Sequence, residues 1–269
     1  MGLSTDSEAR HTRKSPEARR DGYRAHVAAD PETGIITDEK LTGAAGTENS
    51  DAAVAAEFVA GQGAAEGTRG GGDGERGRDD AGGRPLAWYG DSAYGTGDLR
   101  AAIAAAGHQA VIKPWPLQAA VKGGFTTDDF TVDTAAGAVT CPAGITRPIT
   151  ARNAVTFGVA CRDCPLRQRC TTAKDGRTLH LHEHDGLLRA ARAAWAAGTG
   201  PRQDYMTHRP NVERAVAQVA TWRGRRLKLR YRGVTRNNAW LKRRTAAVNL
   251  RTLLGHGLAR SDGAWVLAT

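Results

Sequence analysis

Leu86-Ala87-Trp88-Tyr89-Gly90-Asp91-Ser92-Ala93-Tyr94-Gly95-Thr96-Gly97-Asp98 is the stretch that decides the fold. Leu86 to Tyr89 is a short apolar run of strand character, closed by Gly90-Asp91. Thr96 can cap a helix over Asp98–Ala106, which Gly107 ends. Ala110-Val111-Ile112-Lys113 is then a second strand, stopped by Pro114 and Pro116. The pattern is strand–helix–strand, with Asp91 at the C-terminal end of the first strand. In α/β sheets that end collects ligands and chemistry. Taken alone, Asp91 reads equally well as a turn or helix cap.

Upstream, Tyr23–Ala29 and a segment starting Ile35-Ile36-Thr37 read as a β-hairpin. Asp30-Pro31-Glu32-Thr33-Gly34 is its turn, because Pro presets φ and Gly allows φ above zero. Ser50-Asp51 can cap a short helix through Ala52–Ala60. Residues 1–20 are polar, without periodicity, and are expected to be disordered. Residues 61–84 hold ten Gly and nine charged residues. Such a segment cannot bury enough apolar surface to offset its ordering entropy, and a disordered insertion is expected. Downstream, Leu187–Ala197 and Val212–Ala220 read as helices, with Pro210 suited to the first turn of the second. Arg225–Arg232 alternates basic and apolar residues like a half-exposed strand. A last helix is expected from Ala239 to His256, with Ala247, Leu250, Leu254 and Leu258 on one apolar face. The resulting division is 1–20, 21–124, a Cys-rich subdomain at 125–185, and a helical, basic part at 186–269.

The chain has 269 residues and a formal net charge of +10. Thirteen Lys and Arg and no Asp or Glu lie between Arg214 and Arg260, so the remainder of the chain is net −3. A regional concentration of this kind favours a polyanionic partner. Arg223, Arg225, Arg226, Lys228, Arg230, Arg232, Lys242, Arg243 and Arg244 are the candidate DNA-binding residues. No stretch reaches the ~18 consecutive apolar residues of a membrane helix, and the N-terminus lacks an apolar signal region. No membrane partner is expected.

The four cysteines are spaced Cys141-x19-Cys161-x2-Cys164-x5-Cys170. A Cys pair two residues apart can hold Zn²⁺ from a tight knuckle, and the other two can complete a tetrahedron. His180, His182 and His184 lie nearby and are alternative ligands. The plain alternative is a set of reduced thiols in a loop-rich subdomain. Four cysteines would leave no open coordination position, so a catalytic zinc is disfavoured.

Several motifs together resemble one family. Gly90-Asp91-Ser92-Ala93-Tyr94-Gly95-Thr96-Gly97 resembles the second-aspartate motif of bacterial insertion-sequence transposases of the DDE type. Cys161-Arg162-Asp163-Cys164-Pro165-Leu166-Arg167-Gln168-Arg169-Cys170-Thr171 resembles the cysteine cluster of one branch. Arg209-Pro210-Asn211-Val212-Glu213-Arg214 resembles the glutamate motif. Arg230-Tyr231-Arg232-Gly233-Val234 and Asn249-Leu250-Arg251 resemble the closing segment, and Asp21-Gly22-Tyr23-Arg24-Ala25-His26-Val27 the strand that precedes the second aspartate.

The resemblance implies an RNase-H-like fold of the α/β class, a mixed sheet flanked by helices, with the Cys-rich part as an insertion. It implies Mg²⁺-dependent cleavage and joining of double-stranded DNA, at transposon ends and at a target. Asp91 would be the second carboxylate and Glu213 the third, both Mg²⁺ ligands. Arg209 would hold DNA phosphate or orient Glu213. A homo-oligomer and a cytoplasmic, nucleoid-associated location in a bacterium are implied too. The family's first aspartate has no match: Asp6 and Asp21 sit in the wrong context and Asp30 is in a turn. The expectation is therefore the C-terminal part of a transposase, with an incomplete sheet and metal site. A DNA-binding remnant without catalysis and a zinc-ribbon interaction module are the alternatives.

Overall fold

The computed structural model describes residues 6, 8–13, 19–65 and 85–267. It divides into two compact units, 1–113 with 198–269, and 114–197. The second unit is wider than the 125–185 expected for the Cys-rich part.

The first unit opens with β1 (Arg10–Arg13), which pairs antiparallel with the start of β2 (Arg19–Ala29). Disorder expected across 1–20 is therefore corrected at these strand residues. Residues 1–5, 7 and 14–18 lie outside the described residues. The hairpin is formed as read: β2 pairs antiparallel with β3 (Ile36–Gly43). Its turn is closed by Asp30, whose carboxylate accepts from the Glu32 N–H at 2.9 Å while Gly34 takes φ +72°. Ser50 Oγ accepts from the Ala53 N–H at 3.2 Å and starts α1 (Asp51–Ala65). This helix runs past Ala60 to Ala65, taking in Gly61 and Gly63, because its first turns are buried and carry the rest. Residues 66–84, the remainder of the expected insertion, lie outside the described residues.

β4 (Ala87–Gly90), α2 (Gly97–Ala105) and β5 (Gln109–Ile112) form the expected strand–helix–strand, with parallel strands. Thr96 Oγ1 accepts from the Leu99 N–H at 3.3 Å, so the cap is the one read from the sequence. Ala52, Ala55 and Val59 of α1 pack with Leu99, Ile103 and Ile112 in one cluster.

The second unit holds a three-stranded antiparallel sheet of β6 (Thr131–Asp133), β7 (Ala138–Thr140) and β8 (Thr146–Pro148). β9 (Ala154–Thr156), the short α3 (Arg167–Cys170), β10 (Thr178–His180) and α4 (Asp185–Ala196) follow, with β9 and β10 antiparallel. Its core is Phe130, Val139, Val155, Phe157, Leu179, Cys161 and Cys170. Arg192 clamps α4 to the turn at Thr127–Asp129, ahead of β6, through two bonds of 2.6 Å to the Asp128 carboxylate, a bidentate geometry that Arg suits.

The chain then returns to the first unit. α5 (Pro201–Ala220) begins nine residues before Pro210, with Pro201 in its first turn. Pro210 therefore lies inside a helix it was expected to start. Its missing N–H costs one helical bond. The helix is held on both sides of it, by Tyr205 and Val212, both buried against the unit. β11 (Thr221–Trp222) and β12 (Arg225–Arg226) form a tight hairpin through Arg223 and Gly224, both at positive φ. The longer strand expected over Arg225–Arg232 ends at Arg226, since this pair has no sheet to extend.

α6 (Val234–Gly255) starts before Ala239 and is followed by an exposed hairpin of β13 (Leu258–Ser261) and β14 (Ala264–Leu267). The expected apolar face of α6 is corrected: Leu250 and Leu254 are about half exposed, at 51% and 52%. The buried stripe is Asn237, Leu241, Thr245 and Val248. Polar residues occupy it because they bond backbone. Asn249, beside that stripe, takes the Ile36 N–H and gives an N–H to the Ile36 carbonyl, each at 2.8 Å. Asn238 accepts from Leu41 N–H at 2.9 Å.

The whole is mixed α/β. Among the described residues its strands lie in separate sheets of two or three, not in one continuous sheet.

Candidate functional site

Gly90 and Asp91 end β4 where the chain must turn sharply. A Cβ at Gly90 would come within 2.9 Å of Tyr94 Cβ, so only glycine lets the following turn fold back on the strand. Asp91 Oδ1 accepts from the Ala93 N–H at 2.9 Å, which makes it a cap as well as a candidate site residue. Its other oxygen, Oδ2, lies 3.6 Å from Arg209 Nη2. Arg209 Nε donates to Glu213 Oε1 at 3.1 Å, one turn further along α5. A single guanidinium thus draws together two carboxylates that are 122 positions apart in the chain (91 to 213). Arg209 is largely covered, with its side chain 20% exposed, whereas Glu213 is 63% exposed.

Neutral tyrosines surround this cluster. Burial pushes the Tyr94 hydroxyl up to about 12, with Asp51 and Asp91 adding to the effect. Burial also raises Tyr205, which precedes Arg209 by one turn; Arg209 opposes that shift while Asp91 and Glu213 reinforce it. Tyr205, Arg209 and Glu213 therefore share one face of α5 at successive fourth positions, and the i, i+4 spacing was the available signal. Tyr89 donates its hydroxyl to Asp204 Oδ2 at 3.0 Å and stacks on His208 at 5.0 Å. Those contacts dock α5 on β4. Sequence reasoning missed Tyr89, Asp204 and His208.

The basic candidates divide. Arg223, Arg225, Arg226, Lys228, Arg230, Arg232, Lys242 and Arg243 are all exposed. Arg244 is engaged within the unit: Nη2 donates to the Gln218 and Thr221 carbonyls, each at 2.7 Å, and its guanidinium lies over the Trp222 ring. It caps the C-terminal end of α5, where unpaired carbonyls attract a cation.

In the second unit Cys141, Cys161, Cys164 and Cys170 line one small cavity of about 20 Å³. The fold gathers them as the spacing suggested. Cys161 Sγ accepts from the Arg177 N–H at 3.5 Å, and burial pushes the Cys170 thiol up. Yet among the described residues no three His, Cys, Asp or Glu side chains are placed to hold one metal ion. Two of the thiols, Cys161 and Cys170, are built into the apolar core. His180 ends β10, while His182 and His184 lie in the turn beyond it, where His182 Nδ1 accepts from the His184 N–H at 3.0 Å. They do not share a strand face. The same absence holds for Mg²⁺ at Asp91 and Glu213, where no third carboxylate joins the pair among the described residues.

Residues 140–254 match the family model of the transposase DDE domain. Over that segment the chain is similar to DDE-type transposases. The match supports a transposase function in the movement of a mobile element. It takes in the four cysteines, Arg209, Glu213 and most of the basic segment, and begins after Asp91. Neither the curated proteins nor the solved structures give a match. Among the described residues no helix is long and apolar enough to cross a membrane.

Proposed function

We propose that the chain binds double-stranded DNA at the ends of a mobile element. In this reading Asp91 and Glu213 are two of the carboxylates of a phosphoryl-transfer centre built on an RNase-H-like sheet. The observation that carries this is Arg209 holding Asp91 and Glu213 together from two separate elements. The similarity to transposases over 140–254 supports Glu213 and Arg209, while Asp91 rests on the geometry.

The cluster carries two carboxylates and one guanidinium, a net charge of −1. A phosphodiester therefore meets net repulsion there. A divalent cation, held by several oxygen ligands, supplies the missing positive charge in this class of chemistry. With two carboxylates present among the described residues the set is incomplete, and no step is assigned to a metal. Arg209 keeps donors free beyond the two ion pairs and can reach a phosphate oxygen from where it stands. The exposed basic residues from Arg223 to Arg243 supply the grip on the backbone.

A second reading, DNA binding without catalysis, is favoured by the exposed basic segment from Arg223 to Arg243 beside a set of two carboxylates among the described residues. One pair of measurements separates them. In filter binding to a mixed-sequence duplex, affinity should fall steeply with salt as counterions are released. Salt-independent or absent binding overturns both readings. With supercoiled plasmid and Mg²⁺, weak nicking that Asp91→Asn and Glu213→Gln both abolish supports the catalytic reading. Tight binding with no nicking leaves the second.

A further inference from the structure

We propose that the cleft between β2 and β4 takes up an extended, apolar segment of a second polypeptide, flanked by a basic residue, as an added strand. The cleft is a cavity of about 530 Å³ in the first unit. One wall is Ala25 to Ala29 of β2, whose strand partner along these residues, among the described residues, is β3. Facing it is Ala87 to Gly90 of β4, whose strand partner among the described residues is β5. Among the described residues no strand pairs with either edge that borders the cavity. Unpaired edges are templates for an incoming strand, which gains affinity from main-chain bonds. Trp88, also in the lining, keeps its indole N–H buried without an acceptor among the described residues. A small molecule of this volume would leave both backbone edges bare.

The composition of the occupant follows from what covers the cleft. Trp88 belongs to the α1 and α2 cluster, whereas its neighbour Tyr89 bonds Asp204 and stacks on His208 of α5. Successive strand residues point to opposite faces, so α1 with α2 and α5 cover opposite faces of β4. α5 also packs across β2 and β5, bridging the gap. Ala55, Leu99 and Ile103 line the cavity from one side, and Val212 and Val216 from the other. A strand seated there is buried on both faces. It must be apolar at consecutive positions, unlike the alternating strand that suits a solvated edge.

Charge fixes the flank. The lining includes Asp30, Asp51 and Asp91 against Arg209, a net of −2 with His26 neutral. Asp51 is paired with Arg24 and His26, and Asp91 with Arg209. Asp30, at the end of β2, bonds only its own turn and meets no cation among the described residues. A lysine or arginine beside the apolar run complements it. The proposal stands whether or not Asp91 and Glu213 cleave DNA.

The test uses the full chain and a blocked synthetic peptide of about six consecutive apolar residues, a common strand length, flanked by lysines. Backbone amide exchange is read at Ala25–Ala29 and Ala87–Gly90. Saturating peptide should slow exchange at both edges by about tenfold or more, since both ladders close together. The same peptide N-methylated along its backbone should leave exchange unchanged. Replacing its lysines with glutamates, or Asp30→Asn in the protein, should weaken binding by a few fold at low salt. Slowing at one edge only, at neither, or equally with the N-methylated peptide overturns the proposal. Protection that appears without peptide and grows with protein concentration also overturns it, assigning the cleft to a second copy of this chain.

Discussion

Arg209 Nη2 lies 3.6 Å from Asp91 Oδ2, joining the middle of α5 to the end of β4. With Glu213 on its other side, this arginine is what makes two separate carboxylates one site. Its effect on stability should be small, because pairs whose partners are this exposed contribute about 0–1 kcal/mol. Arg209→Ala is therefore expected to leave the urea midpoint nearly unchanged while lowering duplex affinity several fold. A large loss of stability with unaltered DNA affinity would make Arg209 a structural residue only.

Asn249 works in the opposite way. It satisfies both backbone groups of Ile36 at 2.8 Å and pins α6 to β3. Asn249→Ala leaves a part-buried N–H and carbonyl unpaired, at a cost of about 1–3 kcal/mol. Urea unfolding should show that loss. Asn249→Asp keeps the acceptor and loses the donor, and should fall between alanine and the parent.

Arg243 and Arg244 are neighbours with different work. Arg244 holds carbonyls at the end of α5, and burial lowers its affinity for its proton. Arg243 is exposed. Arg244→Ala should destabilise by about 1.5–3 kcal/mol, as for other hydrogen bonds from charged donors. Arg243→Ala should leave stability alone and reduce by about one the slope of log affinity against log salt. The reverse assignment would undo the division of the basic segment made above.

Asp51 sets an acid limb. Its carboxyl is held below the usual carboxylate range, chiefly by the hydrogen bond with His26 and further by Arg24, against the effect of burial. A depressed pKa contributes stability that is present above the unfolded value, about 3.9, and is lost as pH falls through the folded value. Stability should thus decline below about pH 4, and Asp51→Asn should flatten that decline. An identical acid limb in the variant would remove Asp51 from the account.

At alkaline pH the sign is reversed. Burial keeps Tyr94 protonated up to about 12, well above the usual tyrosine value of about 10. The unfolded chain ionises first, so the stability Tyr94 contributes is intact below about pH 10 and is lost as pH rises towards 12. Ultraviolet titration of the parent and of Tyr94→Phe should differ by one late-titrating hydroxyl.

The chain's local chemistry was legible in its residues. The hairpin turn at Asp30, the Thr96 and Ser50 caps, and the parallel pair around Asp91 depend on interactions within a few positions. Charge segregation after Arg214 was legible for the same reason, being a property of consecutive residues. Elements whose extent depends on packing were misread. The apolar-looking Leu250 and Leu254 lie outward, and the polar Asn237 and Thr245 lie inward. Side-chain bonds to backbone decided that, and periodicity does not record them.

The sequence by itself determined the hairpin turn at Asp30, the caps at Ser50 and Thr96, that the basic charge is regional, and that Asp91 follows a strand and Glu213 rides on a helix. Those follow from steric preference and from spacing along one element. Only the tertiary structure decided that Arg209 sits between the two carboxylates and that the four cysteines line one cavity. It alone decided that Ala25–Ala29 of β2 and Ala87–Gly90 of β4 border one cleft, paired there with β3 and β5 and with no further strand among the described residues. Each of these depends on distances between residues far apart in the chain, and those are set by how the helices pack.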